Sequence, residues 1–234
     1  MAKLKVGIVG YSGRMGSELA RLIGADKNLQ LVIGICRSGS GEGLPTSKDF
    51  SHPLCKTVDL WIDFSLPEVF ASLVSHAIKH QQAIVSGTTG ITDKDAKLIQ
   101  KAGTKIPILW ASNMSIGIAT LRKALEVFKG LEGFDFQIEE SHHNKKKDRP
   151  SGTAKTLEKD LQKQIKSKLP ETIVMRAGGI YGVHKIHAVS DEEHLEFSHT
   201  ALNRAVFAKG AIKAALWLKA KKPGVYDIMD VVGR

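Results

Sequence analysis

Cysteine is nearly missing from this chain: Cys36 and Cys55 are the only two in 234 residues. Two cysteines without metal-ligand spacing build neither a disulfide framework nor a zinc site, so a reducing compartment is predicted and the localisation read from the sequence is cytoplasmic. Aromatic residues make up 6% of the chain, and none lies in the basic segment around Lys145, Lys146 and Lys147. A single-stranded nucleic-acid binder needs stacking surfaces among its basic residues, so no nucleic-acid partner is predicted. No apolar run approaches the length of a membrane span, and Met1 to Gly10 runs into a glycine motif rather than a signal-peptide cleavage site; no membrane association is predicted. Acidic residues are also in short supply, 24 against 34 Lys and Arg, which leaves a net charge of +10. That excess suits an anionic ligand without saying which. Repeats and low-complexity tracts are absent. With 42% hydrophobic and 25% charged residues the composition is that of an ordinary folded protein, long enough for one large domain or two intimate ones.

What is present begins at the N-terminus. Lys3 to Val9 reads as a short buried strand, followed by Gly10-Tyr11-Ser12-Gly13-Arg14-Met15-Gly16 and then by Met15, Leu19, Leu22 and Ile23 on one helix face. Strand, glycine turn and helix in that order let backbone approach a pyrophosphate whose charge sits at the helix N-terminus. The G-x-x-G-x-x-G spacing departs from the common G-x-G-x-x-G, and the flanking strand and helix carry the assignment. Leu29 to Cys36 is the second strand, and its end should meet an adenosine ribose. An acidic residue there would bind the ribose hydroxyls and repel a 2′-phosphate, whereas Arg37 and Ser38 can pair with that phosphate. NADPH is therefore predicted over NADH, with dual use allowed. The plainer alternative leaves Arg37 on the surface and gives the acidic role to Glu42.

Strand and helix signals keep alternating. Thr57 to Phe64 reads as a strand, and Ser65-Leu66-Pro67-Glu68 as a capping box opening a helix through Phe70, Leu73, Val74, Ala77 and Ile78. Ala83 to Ser86 leads into Gly87-Thr88-Thr89-Gly90 and a helix over about 92–102; Ile106 to Trp110 leads into Ala111-Ser112-Asn113-Met114-Ser115. This alternation predicts a doubly wound parallel sheet, with ligands beyond the carboxyl ends of its strands, where the three loops fall.

The densest chemistry lies at Glu139 to Ala154. Phe134, Phe136 and Ile138 alternate with polar residues as a half-buried strand does, and the strand delivers His142 and His143. Ala154, Leu157, Leu161 and Ile165 then mark an amphipathic helix that Ser151, Gly152 and Thr153 open. Histidine transfers protons near neutral pH, Lys145 to Lys147 supply cations, and helix-start N–H groups and hydroxyls can surround a carboxylate. Thr172 to Arg176, Gly182 to Val189 and His194 to Ser198 read as strands of a further sheet, and Phe207 to Leu218 as a helix. His184, His187, His194 and His199 suggest a metal, but residues three apart on a strand face opposite sides and the zinc spacings are missing, so no metal is predicted.

Taken in order, Gly10-x-x-Gly13-Arg14-Met15-Gly16, Asp63-Phe64-Ser65-x-Pro67, Gly87-Thr88-Thr89-Gly90, Asn113-Met114-Ser115-Ile116-Gly117, His142-His143-x-x-Lys146-x-Asp148-x-Pro150-Ser151-Gly152-Thr153-Ala154, Phe207-Ala208-x-Gly210-Ala211 and Gly224-x-Tyr226-Asp227 resemble the 4-hydroxy-tetrahydrodipicolinate reductase (dihydrodipicolinate reductase) family. The resemblance spans nearly the whole chain, and the histidine block is its specific part. It implies a Rossmann-like nucleotide domain over 1–113, completed by 211–234, with an inserted α+β substrate and tetramerisation domain over 114–210. It implies NAD(P)H-dependent reduction of a cyclic dicarboxylic imine with loss of water, in lysine and diaminopimelate biosynthesis, by a homotetramer. His142 and Lys146 would be the catalytic proton-transfer residues, and His143, Ser151, Gly152 and Thr153, with Lys146, would hold the substrate carboxylates. Gly10, Tyr11, Ser12, Gly13, Arg14, Met15, Arg37, Gly87, Thr88, Thr89, Ala111, Ser112, Asn113 and Met114 would hold the nucleotide. Three features depart from the family pattern: Arg149 where a small apolar residue is usual, Cys36 in place of the acid of NADH users, and a short segment between the second and third strands. Alternatives are another nicotinamide-dependent reductase of a small imino or cyclic dicarboxylate, a basic nucleic-acid-binding module, and a silent nucleotide sensor, against which His142 and Lys146 together argue.

Overall fold

The computed structural model describes residues 2–37 and 43–233. Ser38 and Glu42, both weighed above for the ribose, lie outside the described residues. In chain order the first elements are β1 (Leu4–Val9), α1 (Arg14–Ala25), β2 (Leu29–Ile35), β3 (Thr46–Ser47), β4 (Leu60–Asp63), α2 (Pro67–His80), β5 (Ala83–Ser86), α3 (Asp93–Gly103) and β6 (Pro107–Trp110). There follow α4 (Ile116–Ala124), β7 (Asp135–His142), α5 (Gly152–Gln162), β8 (Ile173–Arg176), β9 (Val183–Val189) and β10 (His194–Thr200), then α6 (Ala205–Leu218), β11 (Gly224–Tyr226) and α7 (Ile228–Val231). The chain divides into a first unit, Met1–Ser115 with Phe207–Arg234, and a second, Ile116–Val206.

The first unit is built on a seven-stranded sheet in the order β11-β6-β5-β4-β1-β2-β3. All its described pairings are parallel. Every residue of β4 and β5 is buried, as strands of a parallel sheet flanked by helices must be. The order β3-β2-β1-β4-β5-β6 is that of a dinucleotide-binding sheet, and the carboxyl ends of β1 and β4 flank its switch point. Trp61 of β4 is fully buried, with its ring where a Cβ on Gly7 would stand 2.3 Å away. Its Nε1 donates to Gln82 Oε1 at 2.8 Å, so the indole's polar atom is satisfied in the core.

Two local expectations need correction. The strand read from Thr57 runs only from Leu60 to Asp63, because Pro53–Thr57 winds into a 3-10 turn that His52 starts by accepting Leu54 N–H at 3.2 Å. Ser65 is not a helix cap either: α2 starts after Leu66 with Pro67 in its first turn and no side-chain cap. The Ser65 hydroxyl donates instead to Asp63 Oδ1 at 2.6 Å, a charge-assisted bond to a buried carboxylate that also accepts Ser65 N–H at 3.0 Å. Capping boxes stand instead at α3, between Thr92 and Asp95, and at α7, between Asp227 and Asp230.

The second unit carries a four-stranded sheet, β10-β9-β7-β8. β7 runs parallel to β8 and antiparallel to β9, which pairs antiparallel with β10. Its core joins Phe136 and Ile138 of β7, Ile186 and Ala188 of β9, Leu157 and Leu161 of α5, and Ile118 and Leu121 of α4. The period-2 pattern of β7 thus meets the 3.6 pattern of α5 on one face of the sheet.

Candidate active site

In the first unit the turn after β1 is shaped by what cannot be there. Gly10 has φ +84°, and a Cβ would stand 2.6 Å from the carbonyl oxygen of Phe64, so glycine alone fits. The N–H groups of Gly10 and Tyr11 both donate to Ile35 O, each at 3.0 Å, which ties the turn to the end of β2. A Cβ on Gly16 would lie 2.3 Å from the carbonyl oxygens of Gly10 and Tyr11, so α1 sits directly on the turn. Gly13 caps α1 with no side chain folded back, and no acidic residue occupies the first turn. The N–H groups of Arg14, Met15 and Gly16 therefore start the helix dipole without a built-in anion. Ser12, Gly13 and Arg14 are exposed, as is Arg37 just past β2.

The loop after β5 is held by a residue that sequence reading leaves without a role, and the loop after β6 is tied to it in turn. Asp63, at the end of β4, is completely buried. Its Oδ1 accepts from Ser65 N at 3.0 Å and Ser65 Oγ at 2.6 Å, and its Oδ2 from Ser86 Oγ at 2.7 Å and Thr88 Oγ1 at 2.8 Å. Burial pushes its pKa up against the pull of these bonds. Thr88 is consequently turned into the protein while Thr89 is exposed. Gly87 lies under the Phe64 ring, 2.4 Å from where its Cβ would be. Ala111 N donates to Ser86 O at 3.1 Å, and Trp110 Nε1 to Thr88 O at 3.0 Å. Beyond Ser112, which is exposed, Asn113 Oδ1 accepts Ser115 N–H at 2.8 Å and Met114 is buried. Gly10 to Met15, Gly87 to Thr89 and Ala111 to Met114 thus lie on one edge of the sheet.

In the second unit Glu140 and His142 lie two residues apart on β7 and so share the core face of the pleat. Glu140 is fully buried. Its Oε1 accepts from Arg176 Nη2 at 2.6 Å and from Ser151 N at 3.0 Å, and its Oε2 touches Nδ1 of His142. Burial raises the Glu140 pKa, but Arg176, the Ser151 N–H and His142 outweigh it and hold the carboxyl below its usual value. Burial pushes the His142 pKa down, Lys146 and Arg176 push the same way, and Glu140 opposes them. His184 of β9 packs edge-on to His142 with ring centroids 5.1 Å apart, and burial drives its pKa down to about 3, so it is neutral.

Ser151 caps α5, its hydroxyl accepting Ala154 N–H at 3.1 Å and meeting His184 Nε2 at 3.3 Å. Both of its polar groups are therefore engaged within the protein, while Gly152 beside it is exposed. Lys146 pairs with Asp148 at 2.9 Å. Burial raises the Asp148 pKa, yet the charge and hydrogen bond of Lys146, with backbone N–H groups of Asp148 and Gly152, hold it low. A carboxylate thus already rests between Lys146 and the start of α5. His143 is half-buried, and its carbonyl oxygen accepts Lys146 N–H at 3.1 Å.

The family description "Dihydrodipicolinate reductase, N-terminus" matches residues 4–114, and "Dihydrodipicolinate reductase, C-terminus" matches residues 114–232. The chain belongs to the dihydrodipicolinate reductase family. A relative named 4-hydroxy-tetrahydrodipicolinate reductase from Bdellovibrio bacteriovorus is 49% identical over 232 residues, covering 99% of this chain and 97% of its own. A relative of the same name from Wolinella succinogenes is 37% identical over 254 residues, covering 98% and 99%. Among solved structures, a dipicolinate-bound dihydrodipicolinate reductase from Paenisporosarcina sp. TG-14 superposes with a TM-score of 0.80 at 19% identity, covering 96% of this chain and 97% of that one; it shares the fold.

In this dihydrodipicolinate reductase family member, an oxidoreductase of the nicotinamide-dependent kind, the first unit carries the glycine turn and the second carries the titratable cluster. Sequence reading singles out His142, His143 and Lys146 but gives Glu140 and Arg176 no role, and the structure brings Glu140 against His142 and Arg176 against Glu140. Glu140 could be found, since it stands two residues before His142 on an alternating strand; Arg176, 36 residues from Glu140, leaves no local signal. Glu140, His142 and His184 also bring three potential metal-ligand atoms within 4.8 Å of one another. The Arg176 guanidinium already supplies a positive charge to that carboxylate, which leaves little for a cation to neutralise.

Proposed function

We propose that the chain catalyses the NAD(P)H-dependent reduction of 4-hydroxy-tetrahydrodipicolinate to tetrahydrodipicolinate with loss of water, a step of lysine and diaminopimelate biosynthesis. The observation that carries this reading is that His142 and Lys146, with the start of α5, form one cluster in a chain that belongs to this family from end to end. The reaction takes in one hydride and one proton and releases one water. NAD(P)H supplies the hydride; the turn from Gly10 to Met15, the loops Gly87 to Thr89 and Ala111 to Met114, and Arg37 would hold it. His142 and Lys146 handle the proton. A substrate carboxylate displaces Asp148 from Lys146 and settles against His143, Gly152 and Thr153, while Ser151 fixes the helix start that receives it.

NADPH is the preferred cofactor in this proposal, because Arg37 is exposed directly after β2, where a 2′-phosphate falls. The test is dinucleotide oxidation in a coupled assay that generates substrate from pyruvate and aspartate semialdehyde, run with NADPH and NADH in parallel. Substrate-dependent oxidation is expected with both and faster with NADPH, and Arg37→Ala should weaken NADPH more than NADH. Dinucleotide binding without oxidation would discard the substrate assignment, and an unchanged cofactor ratio in the variant would discard the role of Arg37.

A cytoplasmic homotetramer completes the proposal. Its support is the face of the second sheet turned away from α5, where Ile173 and Met175 of β8 are exposed apolar residues. Sedimentation equilibrium is expected to give the mass of four chains; a monomer mass at micromolar concentration would refute the assembly.

A further inference from the structure

The two oxygens of Glu140 are used differently. Oε1 is filled by Arg176 Nη2 at 2.6 Å and Ser151 N at 3.0 Å. Oε2 touches His142 Nδ1, and neither of those two buried atoms has another hydrogen-bond partner. An ionised carboxylate only accepts hydrogen bonds, so the ring nitrogen facing it must carry a hydrogen. Nε2 then becomes the nitrogen that gains and loses the proton. On the Nε2 side stands Gly182, where a Cβ would lie 3.0 Å from that nitrogen, so a larger residue would crowd it. The carboxylate is itself fixed: the Arg176 side chain is 2% exposed and that of Glu140 0%, and the Ser151 N–H ties Glu140 to the start of α5.

We propose that Glu140 is a positioning residue for the reductase reaction, holding His142 as the Nδ1–H tautomer with Nε2 presented for proton transfer, and that Arg176 holds Glu140 in turn. The proposal rests on His142 serving as the proton-transfer group. The charged and titratable groups around the imidazole are Glu140 on β7, Lys146 in the following loop, Arg176 on β8 and His184 on β9, with His199 of β10 facing His184. Glu140 is the only anion in that set. Removing its charge leaves Lys146 and Arg176 unopposed, which disfavours the imidazolium; the pH limb that reports His142 must move to lower pH. A glutamine at 140 can in addition turn its NH₂ toward Nδ1 and select the opposite tautomer.

The experiment compares Glu140→Gln and His142→Gln with the unaltered chain by kcat/KM against pH, and reads the His142 tautomer in the ¹⁵N-labelled proteins by NMR, His142→Gln assigning the signal. In the unaltered chain the Nδ1–H tautomer is expected. In Glu140→Gln, kcat is expected to fall about 100-fold or more, as a wrong tautomer does in a serine-protease triad, and the limb to move down by about one pH unit, with NADPH affinity unchanged. An Nε2–H tautomer in the unaltered chain overturns the proposal even if the variant fails to fold. If His142→Gln is inactive while Glu140→Gln keeps both its rate and its pH limb, the positioning role falls and His142 keeps its own. Full activity in His142→Gln removes the functional reading and the proposal together.

Discussion

Replacing Lys146 with alanine is expected to lower kcat by about 10²–10⁴-fold, the range removed with a proton-transfer group, while the affinity for NADPH stays as it was. Lys146 belongs to the second unit and the glycine turn proposed to hold the nucleotide belongs to the first, so the two readouts separate the proposed chemistry from the proposed cofactor binding. The loss has two sources. The ammonium pairs with Asp148 at 2.9 Å, and without it the Asp148 carboxylate remains at the start of α5, where it would repel an incoming dianion as well as compete with it. Lys146→Arg restores the charge on a planar, bulkier group that does not give up its proton, so it is expected to recover KM more than kcat. Steady-state rates at saturating NADPH, together with nucleotide titration by fluorescence, make the measurement. A matching fall in NADPH affinity in Lys146→Ala would show that the residue serves the fold or the nucleotide instead.

The second expectation concerns stability. His184 is buried and neutral, with a pKa held down to about 3 by burial. The unfolded chain protonates this residue near pH 6.5 whereas the native chain does not, so stability is complete above about pH 6.5 and declines as the pH falls toward 3. One histidine in that window costs about 1.4 kcal/mol per pH unit, or about 2 kcal/mol between pH 6.5 and 5. His142 and His199 are also depressed by burial, and the lowered carboxyls of Glu140 and Asp148 add losses of the same sign at more acid pH. His184→Gln keeps a polar side chain near Ser151 but does not titrate. Its stability loss from pH 7 to pH 5, measured by urea denaturation, is expected to be smaller than that of the unaltered chain by about 2 kcal/mol. Equal losses in the two proteins would mean that His184 protonates in place.

The parts of this molecule that are legible in its sequence are those whose signal is local. β1, the glycine turn and α1 are adjacent, and the contact of Gly16 with the carbonyls of Gly10 and Tyr11 acts within seven residues, although Phe64 and Ile35 also bear on the turn from a distance. β7 shows itself by alternation and α5 by its small-residue start and helical period. The doubly wound sheet follows from repeating that local unit. What sequence reading misses depends on partners brought from afar. Ser65 resembles a helix cap because its use by Asp63 depends on a carboxylate that also gathers Ser86 and Thr88, 23 and 25 residues away. Arg176 reads as the end of a strand until Glu140 is seen beneath it. In each case a buried charge must be satisfied, and the residues that satisfy it are chosen by the fold rather than by spacing.

β7 has a consequence for anyone who would transplant or redesign this chemistry. Phe136 and Ile138 enter the core from the same side of the strand as Glu140 and His142. The apolar pair and the polar pair are one row of alternate positions, so the address of the imidazole is written by the packing four and six residues upstream. A one-residue insertion before Glu140 would rotate the carboxylate and the imidazole out of the row, and the same insertion before Phe136 would expel the phenyl ring and Ile138 with them. Selecting β7 variants for a well-packed second unit therefore also selects for the histidine's register, and a designer could screen the strand by folding alone before measuring any turnover.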